Sequence, residues 1–143
     1  MLRTLASRLD TLRDLGLLLI RVGVGLSFML HGWPRLAGGP ERWASIAELA
    51  GITLLPTFFG FVVGFSEFAG GLLLALGLLY RPACLFLFGT MAVALSAHLR
   101  AGDGFGDFSQ TLELGLVFAG LFFIGAGRYS LDEYVFNRQR FGY

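Results

Sequence analysis

The chain has 143 residues, 55% of them hydrophobic and 15% charged, with a formal net charge of +1 and a mean hydropathy of +0.70. That length is room for one domain, and a water-soluble core of this size could not hide so much apolar surface, so lipid is the expected solvent. All eleven basic residues are Arg, and no basic run or aromatic-basic platform suggests a nucleic-acid surface.

The spacing predicts an all-α, four-transmembrane-helix bundle within a single membrane domain, residues 1–143, with short interfacial helices at the N-terminus, in the first outer loop and at the C-terminus. Residues 2–13 come first. Leu2, Leu5, Leu9 and Leu12 recur at helical spacing while Arg3, Arg8 and Asp10 take other faces, as in a helix lying on a membrane surface. The first span covers residues 15–33. It is followed by Trp33-Pro34-Arg35 and not by a small-residue cleavage site, so it reads as retained. Gly38-Gly39-Pro40-Glu41 then opens a second interfacial helix, residues 41–51, with Trp43, Ile46, Ala47 and Ala50 on one face, a flap over the outer end. Spans two and three cover residues 56–79 and 82–99; the tight Tyr80-Arg81 connection makes them antiparallel neighbours. Cys84 in span three is the only cysteine, which excludes an intrachain disulfide, a Cys-x-x-Cys redox pair and a Cys-rich metal or iron–sulfur site. Span four covers residues 111–126 with Glu113 in its first turn. Gly125 and Gly127 break it, and Ser130 to Glu133 forms a capping box opening a tail helix, residues 131–138.

Arg placement orients the bundle. Arg3, Arg8, Arg13, Arg81, Arg128, Arg138 and Arg140 fall on one side, against Arg35, Arg42 and Arg100 on the other. The Arg-rich side is expected to be cytoplasmic, with both termini inside.

Glu67 stands near the middle of an otherwise uncharged run, residues 56–79. An ionised carboxylate at that depth needs a partner, a proton or a cavity. At about 100° per residue, Gly60, Gly64, Glu67, Gly70, Gly71 and Leu74 share one face, and Phe58, Phe61 and Phe65 the opposite one. The glycine face admits a neighbouring helix and the Phe stripe suits lipid, so Glu67 is expected to point inward. Arg21, on a face of span one with Gly25, Phe28 and Gly32, is the expected partner in a buried ion pair. That pair either sets helix register or takes part in function. His31, Arg35, His98 and Glu113 form the expected outer polar pocket or proton relay, with Asp107 and Gln110 nearby. Haem would need His31 and His98 as axial ligands; both sit at helix ends and there is no second pair, so neither haem nor a metal site is expected.

Four stretches together resemble the DoxX family. They are Leu19 to Arg35 with Arg21, His31 and Arg35; Glu67 to Arg81; Met91 to His98; and Leu112-Glu113 followed by Gly125 to Asp132. The likeness spans roughly residues 15–132. It implies a four-helix protein of the bacterial inner membrane, in a wider group that includes DoxD-like subunits of a thiosulfate:quinone oxidoreductase and MauE-like proteins of methylamine-dehydrogenase maturation. The basic residue after the His-Gly-x-Pro motif is often Lys; here it is Arg35. A lone cysteine counts against a MauE-like thiol role.

Two functions follow as expectations. In one, the protein is a quinone-linked or redox-complex membrane subunit, with quinone as cofactor and Glu67, His31 and His98 managing protons. In the other, it is a non-catalytic scaffold or accessory subunit of a larger membrane complex. Lipid, further copies of the chain or subunits of a complex are the expected partners. A small transporter is the third reading, disfavoured for a monomer by four short spans without an obvious internal repeat.

Overall fold

A computed structural model describes residues 12–137, and the expected N-terminal interfacial helix, residues 2–13, lies almost wholly outside them. Four long helices are apolar and long enough to cross a membrane: α1 (Arg13–Leu36), α3 (Pro56–Leu76), α4 (Tyr80–Ala101) and α5 (Phe105–Ile124). The short α2 (Gly39–Leu49) lies between α1 and α3, and a single π-helical turn (Glu133–Asn137) closes the described chain. Helices α1 and α4 run past both of their expected ends, α5 starts earlier than residue 111 and stops before 126, and α3 stops short of residue 79. Pro34 lies inside the last turn of α1, and the helix continues past it to Leu36 although the Leu30 carbonyl loses its i+4 donor there. Pro82 likewise falls in the first turn of α4.

Close backbone approach fixes how α1 and α3 pack. A Cβ on Gly25 would meet the carbonyl of Gly71 at 2.5 Å, and one on Gly32 would meet the Phe68 amide at 2.5 Å. These contacts pin the two antiparallel helices in one register, with Gly32 opposite Glu67 and Arg21 opposite Gly77. The periodicity of α3 matches the expectation. Gly60, Gly64, Glu67, Gly70, Gly71 and Leu74 are buried, while Phe58, Phe61 and Phe65 are exposed.

The core is built from Leu17, Phe28, Leu74, Tyr80, Cys84, Leu87, Met91, Phe118 and Leu121. Phe28 and Phe118 meet edge-on at 5.0 Å, bringing α5 back against α1. Gly102, at φ +76°, ends α4 and turns the chain into α5. On the other side, the segment after α5 folds over the ends of α1 and α3. The Asp132 amide donates to the Gly77 carbonyl (2.9 Å), and the Arg128 amide donates to Asp14 (3.2 Å). Ser130 Oγ accepts from the Glu133 amide (3.2 Å), as the capping signal there predicts.

Candidate functional site

The inward carboxylate of Glu67 is 1% exposed at the midpoint of α3, and its partner is Arg35 rather than Arg21. Arg35 Nη1 donates to Glu67 Oε1, while Oε2 is buried without a hydrogen-bond partner among the described residues. The register explains the correction. Arg21 precedes Gly32 by eleven residues, about 16 Å of helix rise, which is beyond the reach of its side chain. Arg35 lies on the same stripe as Arg21, Gly25, Phe28 and Gly32 but one turn beyond Gly32, so its guanidinium needs only to fold back. The stripe was visible in the sequence. Ending the span before Pro34 is what hid its last member.

Arg21 has a different task. It is 2% exposed, and its guanidinium donates to the carbonyls of Ala126 (3.3 Å) and Tyr129. A Cβ on Gly77 would collide with that guanidinium and with Ser130, so the glycine leaves the space Arg21 occupies. Arg21 thus ties the segment after α5 to the bundle, by a charged donor satisfying carbonyls that no helix uses.

The expected outer pocket does not assemble as one set. His31 is exposed, and its Nδ1 donates to the Ser27 carbonyl of its own helix (2.8 Å), though it remains within electrostatic range of Glu67. His98 Nδ1 donates to Asp103 Oδ2 (2.6 Å), because the turn at Gly102 carries Asp103 back over the end of α4. Asp107 accepts from the Gly104 amide (3.2 Å) at the start of α5, and Gln110 is exposed. Glu113 projects outward. Gly115, Phe118 and Leu121 face the bundle, and two residues of helical rotation place Glu113 on the opposite side.

The expected flap, α2, covers the pair from the end of the bundle where α1 finishes and α3 begins. Ala47 is fully buried, and the Trp43 indole donates to the carbonyls of Arg35 (3.0 Å) and Leu36 (3.2 Å). A Cβ on Gly60 would collide with the Trp43 carbonyl, so the flap rests directly on α3 backbone. Trp43 also lines, with Leu55, Pro56, Thr57, Phe58 and Phe61, an almost wholly apolar groove of about 510 Å³. Its ring packs edge-on against Phe61 at 5.0 Å. Among the described residues no three His, Cys, Asp or Glu side chains converge as metal ligands would.

Four apolar helices with a buried acid paired to a half-buried arginine define a multi-span integral membrane protein. The DoxX family model matches residues 16–99, and the chain belongs to the DoxX family. It is 30% identical over 127 residues to inner membrane protein YqjF of Escherichia coli (strain K12), covering 85% of this chain and 93% of that protein. Against inner membrane protein YphA of the same organism the identity is 29% over 129 residues, 85% of this chain and 91% of the relative. A third relative, putative oxidoreductase CatD of Bacillus subtilis (strain 168), is 28% identical over 131 residues, 90% of this chain and 93% of its own length. No solved structure matches the chain.

Proposed function

We propose that the protein is a quinone-linked membrane subunit of a redox system in the bacterial inner membrane, with Glu67 as its proton-handling group. The observation that carries this reading is the half-satisfied carboxylate. One oxygen is held by Arg35, and the other is buried with no hydrogen-bond partner among the described residues, which suits a carboxyl group that takes up and releases a proton. The Arg35 side chain is 38% exposed, so the buried acid is linked through its partner to the outer surface. The groove beside Trp43 and Phe61 opens on the lipid-facing Phe stripe and has the apolar walls that a flat ring would need. Phe61 lies about 9 Å along α3 from Glu67, on the opposite face, and Trp43 bonds to the backbone of the residue that holds the acid.

A quinone, when bound, carries two electrons and two protons. The chain's own contribution is to bind the ring through Trp43, Phe58 and Phe61 and to keep one carboxylate oxygen available at membrane depth. With a single cysteine and no metal-ligand cluster among the described residues, the electrons come from a partner protein or from the substrate. The likeness to putative oxidoreductase CatD of Bacillus subtilis supports a redox setting.

The test is solvent extraction and chromatography of quinone from protein purified in mild detergent. Near-stoichiometric quinone is expected, and its loss in Glu67→Gln with unfolding temperature retained. Quinone-free wild-type protein, or unchanged quinone in Glu67→Gln, would sink the proposal. The second reading, a non-catalytic scaffold, is favoured by the same ion pair viewed as a lock between α1 and α3. It expects Glu67→Gln to lower thermal stability or complex assembly while any turnover stays unchanged.

A further inference from the structure

Only Gly115, Phe118 and Leu121 of α5 are buried, and the helix carries a carboxylate on its other side. Glu113 is exposed and makes no ion pair or hydrogen bond with any described residue. Its depth follows from the packing. A Cβ on Gly70 of α3 would touch Leu87 of α4 (3.2 Å), and one on Gly115 of α5 would touch Met91 (3.6 Å), one turn further along α4. Counted from those contacts, Glu113 lies level with Val93 and Glu67 level with Thr90, about 5 Å apart in depth. Two acids therefore stand at nearly one depth. Glu67 is turned inward and held by Arg35, whereas Glu113 faces the surface that lipid would cover. A bare carboxylate in hydrocarbon is costly enough that such groups are met by a partner.

The surroundings of Glu113 describe that partner. Gly106, Gln110, Glu113, Val117, Gly120 and Ile124 are all exposed, at alternating steps of four and three residues. That period keeps one seam of α5 turned toward a second helix along its length. A Cβ on Gly106 or Gly120 would meet nothing within 4 Å, so both ends of the seam present open backbone that a neighbouring helix can approach closely. Gln110, one turn from Glu113, adds a carbonyl acceptor beside the carboxylate. Two acceptors side by side suit a basic side chain, and a guanidinium has donors for both. A second copy docked on the same seam by a two-fold axis would instead set Glu113 against Glu113 with no cation between them. Arg35, the arginine that reaches this depth within the chain, is already committed to Glu67.

We propose that this seam of α5 is the docking face for a transmembrane helix of a partner subunit, one that carries an arginine at the depth of Glu113. The pair so formed repeats between subunits what Arg35 and Glu67 do within the chain. It does not rest on the redox reading, because a scaffold would use the same face.

The probe is a synthetic Leu/Ala helix of about twenty residues with a single central Arg, beside the same peptide with Leu at that position. Each is dye-labelled and titrated against the labelled full chain in bicelles, with energy transfer as the readout. Saturable association with the Arg peptide is expected, about tenfold tighter than with the Leu peptide, as one interhelical polar contact would give. Glu113→Gln should abolish that preference while leaving Leu-peptide binding and the unfolding temperature unchanged. Gly120→Leu, with the carboxylate intact, should weaken both peptides by blocking close approach. Equal affinity for the two peptides, or a preference that survives in Glu113→Gln, overturns the proposal. Efficient disulfide cross-linking of two copies through Val117→Cys overturns it as well, by assigning the seam to a second copy; Cys84 is buried and does not compete.

Discussion

Replacing Arg35 by Leu would leave the Glu67 carboxylate buried opposite nothing. Breaking a buried pair from one side costs about 3–5 kcal/mol, and the partial exposure of Arg35 puts this case near the low end, about 3 kcal/mol. Removing both charges together, in Arg35→Leu with Glu67→Leu, should restore most of that loss, because no uncompensated charge remains. Denaturant unfolding in micelles measures both, and equal destabilisation by the single and double variants would show that the pair contributes little. Arg21 is a different kind of buried cation. Its guanidinium is bonded to two carbonyls and its Nε is left without a partner among the described residues. The two arginines share one stripe of α1, yet one secures the folded-over segment and the other answers an acid at mid-bilayer.

Each helix end is shaped by what must pass close to it. Leu79, at φ +46°, precedes α4 in a conformation that costs a non-glycine residue of order 1–3 kcal/mol. The compensation is visible: the strained Leu79 amide and that of Tyr80 both reach the Asp132 carboxylate. Asp132→Ala should therefore destabilise the α3–α4 corner by about 1–2 kcal/mol, the usual worth of an N-cap. Hydrogen exchange at the amides of Leu79 and Tyr80 would report it. Unchanged protection there would mean that water replaces the carboxylate at no cost. At the other end, α2 has only one fully buried side chain, Ala47, and is held largely by Trp43 and by backbone contact at Gly60. Such an element opens at lower free energy than the spans beneath it.

Across the bundle, the arginine distribution predicts both termini on the cytoplasmic side. A fluorescent-protein fusion at the C-terminus should be bright and a periplasmic phosphatase fusion there inactive; the reverse pattern would invert the bundle and place the Arg35–Glu67 pair at its inner end. The long helices and their lipid-facing sides were legible in the residues because both depend on local pattern. Apolar length sets a span, and a helical period separates Phe58, Phe61 and Phe65 from the glycines of α3. That Glu67 faces inward follows from the same period. Which cation it meets does not, because the sliding of one helix along another is set by where backbones touch, at Gly25 with Gly71 and at Gly32 with Phe68. The outer polar set dissolved for a related reason. Each of its members was placed by depth alone, and the rotation of α5 about its axis, fixed by Phe118 against Phe28, turns Glu113 away from the interior. Helix identity and facing are properties of one segment's chemistry; partner choice belongs to pairs of segments, and only their packing decides it.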